Sequence, residues 1–154
     1  MQNHTVYDLE QDSISNGMTG IRKYTNEQLT KDLLQLFVAQ KIYRNPELKI
    51  TDVAQLLGTN RTYVSELINS EFSCSFVEYV NRYRFNEAKR LFNTAESERF
   101  SLQEISEHSG FGSPGTFIRI FRQFEGITPG KYRDLLISHT DKDSNLKQLP
   151  EQLI

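Results

Sequence analysis

The feature that most constrains this chain is an internal repeat with a period of about fifty residues. At an offset of 52, residues 50–54 align with residues 102–106, and Gly58 aligns with Gly110. Past that glycine the match continues at an offset of 53, so the second copy has one more residue in its turn. Each copy has the pattern of a short helix, a glycine-containing turn and a second helix, which is the helix-turn-helix arrangement. Two copies are too few for a solenoid, which needs about three repeats to bury a continuous core.

Apolar residues coincide along the second helix of each copy. The aligned pairs are Val64 with Phe117, Leu67 with Ile120, and Ile68 with Phe121. Their spacing of three and four residues predicts one buried face on each helix. Two helical hairpins packed only for stability are the simpler interpretation, but the duplication favours a bipartite reader of DNA.

Helix-start signals delimit the other elements. Ser75 begins an S-x-x-E capping box, and the apolar spacing after it predicts a long helix over residues 76–94. An earlier amphipathic helix is predicted from Thr25 to residue 43. Further starts, two of them followed by proline, are predicted at Ser101, Ser113 and Thr128. No segment alternates with the period of a strand, which predicts an all-α fold.

The predicted architecture is two helix-turn-helix units joined by a long linking helix and preceded by one amphipathic helix. In chain order we expect a disordered polar leader (1–24), a connector helix (25–45), the first unit with the linking helix (46–94), the second unit (95–137) and a loosely ending polar tail (138–154). The connector helix has two open interpretations, a signal connector at the edge of the domain or a dimer contact.

Composition excludes several other classes of function. The 154 residues contain one cysteine, Cys74, so neither an internal disulfide nor a cysteine-rich zinc site can form. Cys74 lies beside Phe72 and Phe76 and is expected to be buried. The three histidines are dispersed and no phosphate-binding glycine loop is evident, so we expect no metal, no cofactor and no enzymatic activity. No signal peptide or membrane span is evident, which favours a cytoplasmic protein without membrane contact.

The charge balance is unusual for a protein that binds phosphate. Lys and Arg number 18 against 20 Asp and Glu, for a net charge of −2. Residues 113–133, however, hold four basic residues and one acid, Glu125, so this part of the second unit carries a charge of +3. We therefore expect modest and salt-dependent affinity for DNA, supplied largely by the second unit. The acidic balance favours one alternative, a non-catalytic helical protein-interaction module.

Two stretches of the chain are similar to a known family. Residues 110–122 read Gly-Phe-Gly-Ser-Pro-Gly-Thr-Phe-Ile-Arg-Ile-Phe-Arg, and residues 126–129 read Gly-Ile-Thr-Pro shortly before Tyr132 and Arg133. This pattern resembles the signature of the AraC/XylS family of bacterial transcription regulators, and residues 50–91 resemble the first unit of the same family. The resemblance implies the C-terminal DNA-binding domain of such a regulator, with seven helices and two recognition helices in successive major grooves. It thus implies sequence-specific binding of double-stranded DNA and regulation of transcription.

The resemblance also implies roles for residues of both recognition helices, whose outward side chains can pair with base edges. The implied base-reading residues are Arg61, Thr62, Ser65, Glu66 and Asn69 in the first unit and Gly115, Thr116, Arg119 and Arg122 in the second. The implied phosphate contacts, at the start of the last helix, are Thr128, Lys131 and Arg133. Glu66 departs from the family pattern, because a carboxylate near phosphates is repulsive unless it meets a cytosine. The small residues Pro114 and Gly115 leave base reading by the second helix to Thr116 and Arg119.

The linking helix has a basic cluster with two open interpretations. The cluster consists of Arg82, Arg84, Lys89 and Arg90. Its members either contact phosphate or form a solvated face in which Arg82 or Arg84 pairs with Glu78 or Glu87. RNA polymerase, a second copy of the chain and an upstream sensor domain are further partners compatible with the resemblance.

Overall fold

The computed structural model of this protein describes residues 25–94 and 99–146, the last eight of them as helix backbone. The predicted leader (1–24), residues 95–98 of the second unit's predicted range and the end of the predicted tail (147–154) lie outside the described residues. The described part of the chain is helical and contains no strand, which confirms the all-α prediction. None of its helices is both long and apolar enough to cross a membrane.

The described residues form seven α-helices and two shorter helical turns. The α-helices are α1 (Asn26–Leu34), α2 (Ile50–Leu56), α3 (Arg61–Phe72), α4 (Phe76–Phe92), α5 (Leu102–His108), α6 (Pro114–Glu125) and α7 (Pro129–Leu146). A π-helical turn, Gln35–Ala39, and a 3₁₀ turn, Ile42–Arg44, connect α1 to the segment before α2. Helices α2 and α3 form the first helix-turn-helix unit, α5 and α6 form the second, and α4 links the two.

The internal repeat predicted from the sequence is confirmed at the level of whole helices. Helices α2 and α5 begin and end 52 residues apart, and α3 and α6 begin and end 53 residues apart. Both turn glycines have left-handed backbone, with φ of +64° at Gly58 and +87° at Gly110. The second helices of the two units also end alike, in left-handed backbone at Ser73 and Gly126.

Helices of the second unit begin at the predicted caps. Ser101 Oγ accepts a hydrogen bond from Glu104 N–H at 3.1 Å, and the Glu104 carboxylate accepts one from Ser101 N–H at 2.7 Å. This reciprocal pair completes the predicted capping box. Ser113 Oγ accepts from Thr116 N–H at 3.2 Å, and Pro114 is the first residue of α6.

Helices α4 and α1 also begin at their predicted caps, Ser75 and Thr25, and each cap side chain accepts a hydrogen bond from the backbone N–H three residues later. The side chain of that later residue takes a different partner in both helices. Ser75 Oγ accepts from Glu78 N–H at 3.2 Å, while the Glu78 carboxylate pairs with Arg82. Thr25 Oγ1 accepts from Gln28 N–H at 3.2 Å, while the Gln28 side chain donates to Asp32. Both helices therefore begin where predicted, with one of the two capping hydrogen bonds.

The helices enclose two hydrophobic cores, one for each unit. The first core buries side chains from α1 to the first half of α4, with Leu33, Phe37 and Ile68 fully inaccessible to solvent. The second buries side chains from the rest of α4 to α7, with Ile105 and Phe121 fully inaccessible. Because full burial of one such side chain stabilises a fold by about 1.5–3 kcal/mol, each core supports its own unit, and α4 takes part in both.

The connector segment does not have the place expected for it at the edge of the domain. Its apolar stripe lies inside the first core, through Leu29, Leu33, Leu36, Phe37 and Tyr43. The α-helix is also shorter than predicted, because a π-helical turn follows Leu34 and Lys41 adopts left-handed backbone with φ of +51°. That turn brings Tyr43 back into the core. The stripe is therefore covered by the protein's own core, and a dimer contact by this segment stays a prediction.

Helix α7 is longer than predicted. It runs for 18 residues to Leu146, whereas the sequence pattern places its end at about residue 138. The prediction relied on apolar periodicity, which stops there, but a polar segment can continue a helix without burying a face.

Candidate nucleic-acid interface

Helix α3 presents all five of its predicted base-reading residues to solvent. The Asn60 side-chain oxygen caps the helix by accepting from Tyr63 N–H at 2.9 Å. The side chains of Val64, Leu67 and Ile68 face the first core. The opposite face carries the exposed residues Arg61, Thr62, Ser65, Glu66 and Asn69. The structure thus brings these five residues together on one face, at the spacing that a helix lying in a groove requires.

Helix α6 has the same design with a more strongly apolar inner face. Phe117, Ile120 and Phe121 are buried in the second core. The outer face carries Gly115, Thr116, Arg119 and Arg122, of which Thr116 is half-buried and the others are exposed. Thr116 Oγ1 accepts from Ser113 Oγ at 3.0 Å, so its hydroxyl is held at the helix cap. No atom within 4 Å would meet a Cβ at Gly115, so the start of this face is open.

The outer face of α6 and the start of α7 form an uncompensated positive surface. Arg119, Arg122 and Lys131 are exposed, and none of them forms an ion pair with another described residue. Glu125, the only acid of residues 113–133, pairs instead with Lys89 on α4, at 2.9 Å. Glu125 is thus already neutralised by a lysine of another helix, and the charge of the outer face stays available to an anion.

Two of the three residues predicted to contact phosphate lie exposed at the start of α7. Thr128 and Lys131 are exposed, and Thr128 Oγ1 accepts from Lys131 N–H at 3.3 Å. The first turn of a helix carries partial positive charge and is therefore compatible with a phosphate oxygen. The Lys131 side chain adds a full charge at the same place.

The structure gives Arg133 a different position from the one predicted. Its guanidinium donates to the Phe100 carbonyl at 2.7 Å and lies 5.5 Å from the centre of the Phe92 ring. Its Nε is buried and has no hydrogen-bond partner among the described residues. Arg133 thus joins α7 to the segment before α5 and to α4, which favours a structural role over the predicted phosphate contact.

The basic cluster of α4 is engaged within the protein: the predicted pair of Arg82 with Glu78 forms, whereas Arg84 is buried and is not part of a solvated face. Arg82 pairs with Glu78 at 2.6 Å, Arg90 with Glu87 at 2.9 Å and Lys89 with Glu125. Arg84 is buried, with 8% of its surface exposed, and donates to backbone carbonyls of residues 43 and 45 at 2.8 Å. Arg84 and Lys89 therefore connect α4 to other parts of the fold, whereas Arg82 and Arg90 pair within the helix.

Sequence reasoning missed a buried polar group around Glu87. This carboxylate is 4% exposed and accepts from the Tyr43 hydroxyl at 3.2 Å, from Arg90 and from Arg44, with Lys41 Nζ 3.6 Å away. Burial alone would raise the pKa of Glu87, but the hydrogen bonds and charges of Arg90 and Arg44 lower it to about 2. Burial, together with the negative charge of Glu87, raises the pKa of Tyr43 to about 12. The available signal was that Glu87 shares a helix face with the apolar residue Leu91.

Neither Cys74 nor His108 lies on a recognition helix. Cys74 is buried, as predicted, and burial raises the pKa of its thiol. His108 is exposed on α5, with Nδ1 2.7 Å from the Glu104 carbonyl oxygen and its ring 5.4 Å from that of Phe100. The residues that the structure describes contain no group of three or more side chains able to hold a metal ion.

Comparison with known proteins places these features in one family. Residues 53–134 match the family model described as a helix-turn-helix domain. The chain is 38% identical over 87 residues to the Bacillus subtilis protein named uncharacterized HTH-type transcriptional regulator YtdP, covering 56% of this chain and 11% of YtdP. It is 29% identical over 108 residues to the probable transcription factor PqrA of Proteus vulgaris, covering 70% of this chain and 85% of PqrA. Both relatives are named as transcription regulators, not as enzymes.

A solved structure shows the same fold. The DNA-binding domain of AdpA, a global transcriptional factor crystallised in complex with a target DNA, superposes with a TM-score of 0.63 and 19% identity, covering 72% of this chain and 94% of that one. The chain thus spans most of PqrA and of this isolated domain, but only a small part of YtdP.

Proposed function

Because this chain belongs to the AraC-type helix-turn-helix family, we propose that it regulates transcription by binding double-stranded DNA sequence-specifically, with α3 and α6 in successive major grooves. The observation that carries the proposal is the pairing of two equivalent helices, each capped at its start, buried on one face and exposed on the other. Any surface helix keeps a polar outer face, so it is the repetition of this arrangement in both units, with unpaired arginines on α6, that distinguishes it from packing for stability alone.

The two helices contribute differently to the proposed binding. Helix α6 carries the exposed and unpaired Arg119 and Arg122, and Lys131 follows in the first turn of α7, so the second unit supplies most of the electrostatic attraction to phosphate. Helix α3 brings one cation, Arg61, together with Ser65 and Asn69, whose side chains hydrogen-bond to base edges. Glu66 on the same face repels phosphate and selects for a cytosine partner. We therefore propose that the first unit contributes more to discrimination and the second unit more to affinity.

The remaining proposals concern the setting in which this domain works. A regulator of bacterial transcription acts where the chromosome is, which implies the cytoplasm. Contacts with RNA polymerase, with a second copy of the chain and with an upstream sensor domain stay predictions of the family resemblance, and so does the assignment of Thr128 and Lys131 to phosphates.

Selection from a random duplex library tests the proposal. The purified chain, at low and at physiological salt, should recover a site with two short motifs about 10 base pairs apart. The variant Arg82→Ala tests whether loss of any exposed arginine changes the selected site, because Arg82 is exposed but lies on α4, where it pairs with Glu78. It should recover the same site as the unsubstituted chain. Recovery of no sequence at either salt would contradict the proposal and favour the protein-interaction module.

A further inference from the structure

One short segment of the chain contacts both units. It consists of residues 43–46 and is called the junction below. The Tyr43 ring belongs to the first core, with its centre 5.4 Å from that of Tyr83. On the other side, the turn of the second unit lies against the junction, because a Cβ at Gly110 would be 2.6 Å from Arg44 Cα and closer still to the Tyr43 carbonyl oxygen. The junction therefore lies between the two units.

Two buried side chains of α4 hold the junction in place. Arg84 donates through Nε to the Tyr43 carbonyl and through Nη2 to the Asn45 carbonyl, both at 2.8 Å. Glu87 accepts from the Tyr43 hydroxyl and pairs with Arg44. Because Arg84 and Glu87 are almost inaccessible to solvent, water competes little for these hydrogen bonds and their geometry is well defined.

The contact at Gly110 is not a general requirement of the repeat. Gly58 occupies the equivalent turn of the first unit and has the same left-handed backbone, yet nothing lies within 4 Å of a Cβ built there. Left-handed backbone alone explains a glycine at residue 58. At residue 110 the close approach of the junction backbone is a second and separate reason for glycine.

A second connection changes how the two units can move. Helix α4 has 17 residues, about 25 Å in length, and a single helix of that length can bend. A contact at a second point, away from the helix axis, opposes that bending. We propose that the junction, Arg84, Glu87 and Gly110 together fix the distance and angle between α3 and α6, and thereby set the spacing of the two DNA half-sites. The second half of this statement rests on the proposed function. These residues are positioning residues, since their contacts lie within the protein.

The test measures the distance between spin labels on the two helices in the free protein. Labels are attached at the exposed residues Ser70 and Gln123, each replaced by cysteine, while Cys74 is shielded by burial. In the unsubstituted background we expect one narrow distance distribution. Gly110→Ala should shift or broaden it, and Gly58→Ala, which introduces the same backbone strain without the contact, should not. Equal distributions for the two variants would overturn the inference.

A second pair of variants keeps the test decisive if Gly110→Ala fails to fold. Glu87→Gln preserves the shape of the side chain and removes its charge from the junction. Its control is Glu78→Gln, the same change on the same helix in an exposed pair with Arg82. Broadening in Glu87→Gln alone supports the inference, and broadening in neither or in both overturns it.

Binding to DNA then separates this inference from the proposed function. Joining two half-sites on one duplex raises affinity roughly 10²–10⁴-fold when the spacing fits. Gly110→Ala should lose much of that gain, or transfer it to a different spacing, while its affinity for a single half-site stays that of Gly58→Ala. If no variant binds DNA, the proposed function fails and the label distances alone decide whether the junction positions α3 and α6.

Discussion

The substitution Glu87→Gln should make the free energy of unfolding depend less on pH in the acid range. The pKa of this carboxyl is about 2 in the folded protein against an ordinary value of 4.5. A group whose pKa is lower in the folded state contributes stability that is fully present above about pH 4.5 and is lost as the pH falls toward 2. At 1.36 kcal/mol for each pKa unit, the contribution is at most about 3.4 kcal/mol. Because Arg44 and Arg90 are about half exposed, screening by water reduces it to roughly 2 kcal/mol.

Urea unfolding followed by circular dichroism measures this effect. The free energy of unfolding of the original chain should fall by about 1.5 kcal/mol more than that of Glu87→Gln between pH 5 and pH 2.5, where most of the contribution has been lost. Glu78→Gln serves as the control for removing a carboxylate from α4, because the pair of Glu78 with Arg82 is partly exposed and contributes little to stability. Parallel pH profiles for the original chain and Glu87→Gln would refute the assignment of Glu87 as an ionised, buried anchor.

Four further substitutions test the site and the second core. Arg119→Ala should cost about 1–3 kcal/mol of binding and relax preference at one or two base pairs, and equal loss across all sequences would remove it from the base-reading set. Lys131→Ala should weaken binding to every DNA sequence similarly and should reduce the slope of log binding constant against log salt concentration by about one. An effect that depends on the DNA sequence would argue against phosphate contact. Arg133→Ala should lower the free energy of unfolding by about 1–3 kcal/mol while the salt slope stays constant; a reduced slope would return Arg133 to the phosphate set. Phe121→Ala, at a side chain that is fully buried, should cost about 3–5 kcal/mol in urea unfolding, and a cost under about 1 kcal/mol would contradict the second core.

The parts of the fold that the sequence predicted are those fixed by local chemistry. Ser113 before Pro114, the box of Ser101 and Glu104, and the glycines of the two turns each determine backbone geometry through residues at most three apart. The repeat then orders these local elements, because an element that is ambiguous in one copy is supported by its equivalent in the other. The outward faces of α3 and α6 follow from the same spacing.

The parts that were missed depend on contacts between residues distant in sequence. Arg84 and Glu87 read as surface charges on an amphipathic helix, and their burial depends on partners about 40 residues earlier. Arg133 reads as a phosphate ligand, and its actual partner, the Phe100 carbonyl, is 33 residues away. The connector reads as a free amphipathic helix because the pattern of an apolar stripe does not say which core will cover it. The sequence therefore indicates which helix faces are exposed, but it does not indicate which side chains hold the helices in position through contacts with distant residues.

Methylation interference on the selected duplex shows whether two separate helices read the DNA, because methyl groups on guanine N7 block contacts in the major groove. Two groups of interfering guanines are expected about 10 base pairs apart on one face of the DNA, one for each recognition helix. Arg119→Ala should remove interference from one group only, which assigns α6 to that half-site. A single group, or two groups that Arg119→Ala weakens equally, would contradict a protein that reads DNA with two separate helices.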